Sequence, residues 1–234
     1  MVVFLVCGVA GVLFYAGVIQ FNNPSLEEYP VRGVDVSAYQ GDIDWGVLSQ
    51  QNIQFAFIKA TEGSSFADEK FDANYAGAHR TGLRVGAYHF FSFDSPGRTQ
   101  ADNFISRVPW HDGDLPPVVD FEFYGDKGTH PPDADATRQE LSTLLDRLEQ
   151  HYGVRPIVYA TEQAYDQYLA GHYATYDMWI SNIVTKPKPL ENQTWTFWQY
   201  ANRTRLDGYT GTERYIDLNV FNGSAEEFNN YART

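Results

Sequence analysis

Residues 116–123 read P-P-V-V-D-F-E-F and place Asp120 and Glu122 two positions apart in an otherwise apolar run. The β-branched and aromatic residues of this run predict a buried strand. Side chains two positions apart leave the same face of a strand, with Cα atoms about 6.6 Å apart. Two acids on such a face are costly unless they line a wet cleft or meet partners. The run therefore predicts either a carboxylate-lined cleft or two acids that bind arginines or cap a loop.

Strand-like and helix-like segments alternate on both sides of this run. Strands are predicted at 33–37, 54–59, 84–91, 116–123, 156–160, 177–181, 194–200 and 214–218. Helices are predicted from Asp44 to Gln51, from a cap at Asp68, from a cap at Ser95, over 135–152 and over 224–231. Eight strands, with helices mainly between the first five, predict an α/β fold: an irregular TIM-like barrel of eight strands with fewer than eight helices.

Four acidic residues lie at or near the C-terminal ends of these predicted strands: Asp35, Asp120, Glu122 and Asp217. In parallel barrels that rim carries the active site. Crowded, partly buried carboxyls can keep one group protonated near neutral pH while another stays ionised, which is what glycoside hydrolysis requires. The six histidines are scattered, without an H-x-H or H-x-x-x-H pair, so a metal site is the weaker alternative. We therefore expect acid–base chemistry without a metal or cofactor.

Length, net charge and cysteine content limit the classes of partner and site that this protein can have. The 234 residues suit one large domain, or one domain with a short appendage, and the net charge of −13 argues against a nucleic-acid partner. The single cysteine, Cys7, excludes an intrachain disulfide and a cysteine-based metal site. We expect a monomer.

The first 21 residues are almost entirely apolar and predict a hydrophobic membrane anchor or a signal segment. Residues 22–32 are polar and predict a linker, which leaves 33–234 as the catalytic domain. Either interpretation of the first segment places the domain outside the cytoplasm, secreted or tethered to the membrane through that segment only.

Several short segments occur together in an order that resembles one known family. They are G-V-D-V-S-A-Y-Q-G-D-I-D-W at 33–45, F-A-F-I-K-A-T-E-G at 55–63, G-A-Y-H-F at 86–90, V-V-D-F-E at 118–122, W-Q-Y at 198–200 and D-L-N at 217–219. The set resembles glycoside hydrolase family 25, the Chalaropsis-type and phage-type lysozymes. The resemblance implies an N-acetylmuramidase that cleaves the β-1,4 bonds of peptidoglycan glycan strands.

The resemblance also implies roles for the four acids. Glu122 corresponds to the general acid, and Asp120 corresponds to a nucleophile or to a carboxylate that assists the substrate's acetamido group. Asp35 and Asp217 correspond to the remaining acidic pair. One departure is T-E-R-Y-I, inserted between Gly211 and Asp217, which changes the loop before the last aspartate.

Aromatic and amide side chains near the same rim are candidates for sugar binding. They are Tyr88, Trp198, Tyr124, Tyr159 and Gln199. His89, next to Tyr88, is expected to face away from the cleft. Two alternatives remain: a non-catalytic peptidoglycan-binding module of the same fold, and a metal-dependent polysaccharide deacetylase with Asp120 and Glu122 as ligands.

Overall fold

The structure, a computed structural model, describes residues 20–188, 190 and 193–232. The predicted hydrophobic segment lies almost wholly outside these residues. The strands are β1 (Arg32–Val36), β2 (Phe55–Glu62), β3 (Phe66–Ala67), β4 (Arg84–Phe90), β5 (Val118–Phe121), β6 (Ile157–Thr161), β7 (Met178–Ser181), β8 (Phe197–Thr204) and β9 (Ile216–Phe221). The α-helices are α1 (Trp45–Leu48), α2 (Phe71–His79), α3 (Gly97–Ile105), α4 (Ala134–Tyr152), α5 (Glu162–Ala164) and α6 (Ala225–Asn230).

Eight of these strands close into a barrel in the order β1, β2, β4, β5, β6, β7, β8, β9, with β9 returning to β1, while β3 pairs with β2 alone. Neighbouring strands run parallel from β1 through β8, whereas β9 is antiparallel to both β8 and β1. The predicted irregular eight-stranded barrel with fewer helices than strands is confirmed.

The reversal of β9 corrects one detail of the sequence prediction. Asp217 is the second residue of β9, and not a residue at its C-terminal end. Because β9 runs against its neighbours, its first residues lie at the rim where the parallel strands end. Asp217 therefore reaches the expected rim from the opposite chain direction.

The lower part of the barrel is filled by large aromatic side chains that point inward. Phe55, Phe57, Trp179 and Phe197 are nearly inaccessible to solvent, and the rings of Phe57 and Trp179 stack with centroids 4.6 Å apart. Gly33 provides space for this packing, since a Cβ atom there would lie 2.3 Å from the Phe55 ring. The aromatic layer forms an apolar floor beneath the rim.

The helices pack outside the barrel and follow the expected patterns with small shifts. The predicted leucine stripe of α4 is buried, and Gly153 ends the helix in the left-handed conformation with φ 70°. The predicted caps of α2 and α3 are wrong by a few residues. Helix α2 begins at Phe71 because Asp68 accepts instead from the backbone N–H groups of Ala38 and Lys70. Helix α3 begins at Gly97, and Pro96 rather than Ser95 is its N-cap.

Residues 22–32, predicted as a linker, pack against the barrel. Asn22 donates hydrogen bonds to the carbonyl oxygens of Asn182 and Tyr200, and the Tyr29 ring lies 6.0 Å from the rings of Trp195 and Trp198. No helix within the described part of the chain has the length and apolar character needed to cross a bilayer.

Candidate active site

The four predicted acids meet in one cleft at the rim of the barrel. The cleft has a volume of about 740 Å³ and opens where the parallel strands end. Asp35 comes from β1, Asp120 from β5 and Asp217 from β9, while Glu122 follows β5 directly. The two-residue spacing of Asp120 and Glu122 places both of them in the cleft wall, as predicted for one face of a strand.

Asp35 and Asp217 form a tightly bound carboxyl pair. They are directly opposite each other in the β1–β9 register, and Asp217 donates a hydrogen bond to Asp35. Burial raises the pKa of both carboxyls, and the negative charge of Asp35 raises the pKa of Asp217 further. The pair therefore retains a proton above the pH at which an exposed aspartate loses it.

Two buried amides hold this pair in place. Gln199 Nε2 lies 3.1 Å from both Asp35 Oδ2 and Asp217 Oδ2, and Asn219 Nδ2 donates to Asp35 Oδ2 at 2.7 Å. Both amide oxygens accept bonds that fix their orientation. Trp179 Nε1 donates to Asn219 at 2.8 Å, while Ser181 Oγ donates to Gln199 at 2.7 Å. The N–H groups therefore face the acids.

Asp120 lies deep in the cleft wall with one carboxyl oxygen unsatisfied. Its Oδ1 has no hydrogen-bond partner among the described residues. Burial raises its pKa well above the usual range, and the neighbouring Glu122 charge raises it further. Lys59 acts in the opposite direction. A fully ionised Asp120–Glu122 pair is disfavoured, so the pair retains a proton above the pH at which an exposed carboxyl loses it.

Glu122 is more accessible than Asp120 and faces the open part of the cleft. Burial raises its pKa, and the negative charge of Asp35 adds to the effect. Tyr159 Oη lies 3.5 Å from Glu122 Oε2 and 3.0 Å from Gln199 Oε1. Because a phenol carries one proton, the shorter bond to Gln199 is the stronger one. Glu122 therefore combines access to solvent with a raised pKa.

Among the remaining predicted site residues, side chains that alternate along a strand either line the cleft or face away from it. Tyr88, Tyr159 and Gln199 line the cleft, and His89 faces away, bonded to Thr61 and Gln100. Trp198 does not line the cleft, which corrects the prediction. As the neighbour of Gln199 on β8 it points to the opposite face.

The structure also places Tyr124 outside the residues that line the cleft. It follows β5, and its hydroxyl accepts from the Phe93 backbone N–H at 3.0 Å and donates to Asp94 at 2.9 Å. Trp198, for its part, donates its Nε1 proton to the Asn182 carbonyl at 2.8 Å. Both side chains are thus committed to holding loops against the barrel.

Several cleft residues are absent from the sequence prediction. The inserted loop contributes its residues 212–215 to the cleft wall. The loop could have been identified from the sequence, because its length departs from the family pattern. Asn219 was harder to identify. It is the last residue of the D-L-N segment, but its bond to Asp35 follows from strand pairing that the sequence does not show.

Comparisons with known proteins agree with this geometry. The sequence matches Glycosyl hydrolases family 25 over residues 34–209. A family 25 glycosyl hydrolase from Bacillus anthracis has a TM-score of 0.85 and 52% identity, covering 91% of this chain and 97% of that one. The bacterial lysozyme from Streptomyces coelicolor has a TM-score of 0.79 and 32% identity, covering 87% and 97%. Lysozyme M1 from Streptomyces globisporus is 34% identical over 212 residues, which are 83% of this chain and 69% of that protein.

The family match extends over most of the chain, and the solved relatives share the barrel that brings the acids together. This chain therefore belongs to glycoside hydrolase family 25 and is a glycoside hydrolase.

Proposed function

We propose that this glycoside hydrolase is a lysozyme that cleaves the β-1,4 bond between N-acetylmuramic acid and N-acetylglucosamine in peptidoglycan. Two of the similar proteins are named lysozymes, which supports the substrate class. The observation that carries the proposal is the pairing of Asp120 with Glu122, whose pKa is raised, in one open cleft.

In this proposal Glu122 is the general acid. A leaving glycosidic oxygen needs a proton at the moment the bond breaks, and a carboxyl with a raised pKa still carries one near neutral pH. Glu122 meets this requirement because burial and the charge of Asp35 both favour its protonated form. Its position beside the open part of the cleft lets it contact a bound glycan.

Asp120 is assigned the second carboxylate role. The positive charge that develops at the anomeric carbon is stabilised by a nearby carboxylate, which either attacks the carbon or orients the substrate's acetamido group. Asp120 lines the cleft beside Glu122 with 9% of its surface exposed, and the positive charge of Lys59 favours its ionised form. After Glu122 has protonated the leaving oxygen, its carboxylate takes a proton from the water that completes the hydrolysis, which restores the acid.

Asp35 and Asp217 are assigned the role of setting the charge of the cleft. Their shared proton limits the negative charge beneath the substrate, and Gln199 and Asn219 hold the pair rigidly. Preorganised groups of this kind lower the cost of reorganisation during catalysis. Tyr88 and Tyr159 then supply the walls against which sugar rings pack.

The proposed setting is extracytoplasmic. Peptidoglycan lies outside the cytoplasmic membrane, and residues 1–21 have the composition of an anchor or signal segment. We propose that the enzyme acts there as a monomer, with the first segment as its link to the membrane.

The test is to digest purified peptidoglycan, reduce the products with borohydride and identify the new ends by mass spectrometry. Muramitol ends are expected. Glucosaminitol ends would agree with a glycoside hydrolase but would contradict the proposed choice of bond. Glycan binding without any new ends would favour a non-catalytic module. Release of acetate without any new ends, lost on EDTA treatment, would favour a metal-dependent deacetylase.

A further inference from the structure

A group of three potential metal ligands lies away from the cleft, near the end of the barrel at which β4 and β5 begin. The group, here called the His79 cluster, consists of His79, His111 and Asp114. His79 Nε2 lies 2.6 Å from Asp114 Oδ1, and His111 Nδ1 lies 3.5 Å from Asp114 Oδ2. The three ligand atoms are all within 4.8 Å of one another.

The orientation of His79 is fixed by its other ring nitrogen. His79 Nδ1 lies 2.8 Å from the Tyr75 carbonyl oxygen, one turn earlier on α2. A carbonyl oxygen can only accept, so Nδ1 carries the hydrogen and Nε2 is directed at Asp114. Histidines that bind metals typically donate their second N–H in this way to a backbone carbonyl or a carboxylate.

Asp114 is fixed as firmly as His79. Its side chain is 4% exposed, and its Oδ2 accepts from the Tyr75 hydroxyl at 2.6 Å and from the His111 backbone N–H at 3.0 Å. These bonds also bring the His111 ring, 4.8 Å from the His79 ring, over the same carboxylate. The buried carboxylate is thus held where two imidazoles converge.

Two imidazole nitrogens and one carboxylate oxygen form a donor set that suits Zn²⁺ and its neighbours in the transition series. A tetrahedral zinc ion holds its ligand atoms about 3.3 Å apart, at 2.0–2.1 Å from each. The His79–Asp114 contact must open by less than about 1 Å to reach that spacing. The His79 and His111 side chains are 27% and 53% exposed, which leaves room for this adjustment and for a water molecule as fourth ligand.

We propose that the His79 cluster binds a divalent transition-metal ion of the Zn²⁺ class. The ion replaces the proton between His79 Nε2 and Asp114 Oδ1, and it links the C-terminal end of α2 to the loop that precedes β5. The role is structural, because the cluster lines no part of the catalytic cleft. This departs from the sequence expectation of no metal, which depended on the absence of closely spaced histidines.

The test is calorimetric titration of ZnCl₂ into the EDTA-treated full chain, combined with thermal unfolding. We expect one zinc ion per chain at this site and a rise of about 5 °C in Tm at about a hundred times the dissociation constant. His111→Gln should weaken binding at least about tenfold, since one of three protein ligands is lost.

His130→Gln is the matched control, because His130 is an exposed histidine away from the cluster. It should bind zinc as the wild type does. Zinc that neither binds nor raises Tm would show that the cluster is a hydrogen-bonded ion pair only. Zinc binding that survives unchanged in both His111→Gln and His79→Gln would place the ion elsewhere and overturn the proposal.

Discussion

Asp35 and Asp217 face each other across antiparallel strands β1 and β9, and the Asp217 carboxyl donates a hydrogen bond to Asp35. The bond exists because the last strand of the barrel runs against its neighbours. Gln199 contacts both carboxyls, and Asn219 contacts Asp35. The proton of this pair and the charge of the cleft are therefore set by strand pairing, and they lead to the following predictions.

Asp217→Asn should stabilise the fold at neutral pH. The folded pKa of Asp217 is raised above its unfolded value, so its favourable contribution is complete at low pH and is lost as pH rises through the folded pKa. Replacing the carboxyl by an amide removes that loss and keeps a donor toward Asp35. We expect a gain of about 1 kcal/mol in the free energy of unfolding at pH 7.

Urea unfolding at pH 7 and pH 4 measures this effect, with a much smaller gain expected at the lower pH. Asp207→Asn, at an exposed aspartate, should change little at either pH. Equal changes at both pH values for Asp217→Asn would show that the carboxyl is not penalised by burial.

Activity should fall as pH rises past the raised pKa of Glu122, because the acid then loses its proton. The negative charge of Asp35 is the second cause of that raised pKa, after burial. Asp35→Asn should therefore move the alkaline limb of the kcat/KM profile to lower pH, in addition to any loss of rate. An alkaline limb that stays in place, or moves to higher pH, would contradict the electrostatic coupling.

Trp179 and Trp198 should respond differently to replacement by phenylalanine. Trp198→Phe removes packing against Tyr29 and the bond to the Asn182 carbonyl, so we expect a loss of about 1–3 kcal/mol in stability with nearly unchanged kcat/KM. Trp179→Phe removes the donor that orients Asn219, and kcat/KM should fall about tenfold.

Steady-state kinetics together with thermal unfolding separates these two effects. A large loss of kcat/KM in Trp198→Phe with intact folding would show that Trp198 contributes to the cleft. An unchanged kcat/KM in Trp179→Phe would show that the Asn219 amide keeps its orientation without the indole.

The sequence predicts the features that depend on the spacing of side chains along a single strand or helix. The two-residue spacing of Asp120 and Glu122 predicts a shared face, and the leucines of α4 predict its buried stripe. Local period also predicts that neighbours on a strand face opposite ways, which is correct for Tyr88 and His89. It does not indicate which of two neighbours faces inward, and for this reason the sequence prediction places both Trp198 and Gln199 in the cleft.

Features that depend on strand pairing were beyond the sequence. The direction of β9 decides how Asp217 reaches the rim, and a reversed strand leaves no local signal in the chain. The bond from Trp179 to Asn219 joins residues 40 positions apart. His79 and Asp114, 35 positions apart, likewise meet only because α2 and the loop before β5 pack together.

The central claim is that Glu122 is the general acid, and Glu122→Gln tests it most directly. Glutamine is nearly isosteric but has no acidic proton, so the release of reducing ends from peptidoglycan should fall by about 10²–10⁴ while the unfolding temperature stays near or above that of the wild type. Glu226→Gln, at an exposed glutamate on α6, should keep full activity.

The measurement is the rate of reducing-end release by wild type, Glu122→Gln and Glu226→Gln on the same peptidoglycan, with folding checked by circular dichroism. A folded Glu122→Gln enzyme with a greatly reduced rate is the predicted result. A folded Glu122→Gln enzyme that works at the wild-type rate would contradict the assignment of the acid.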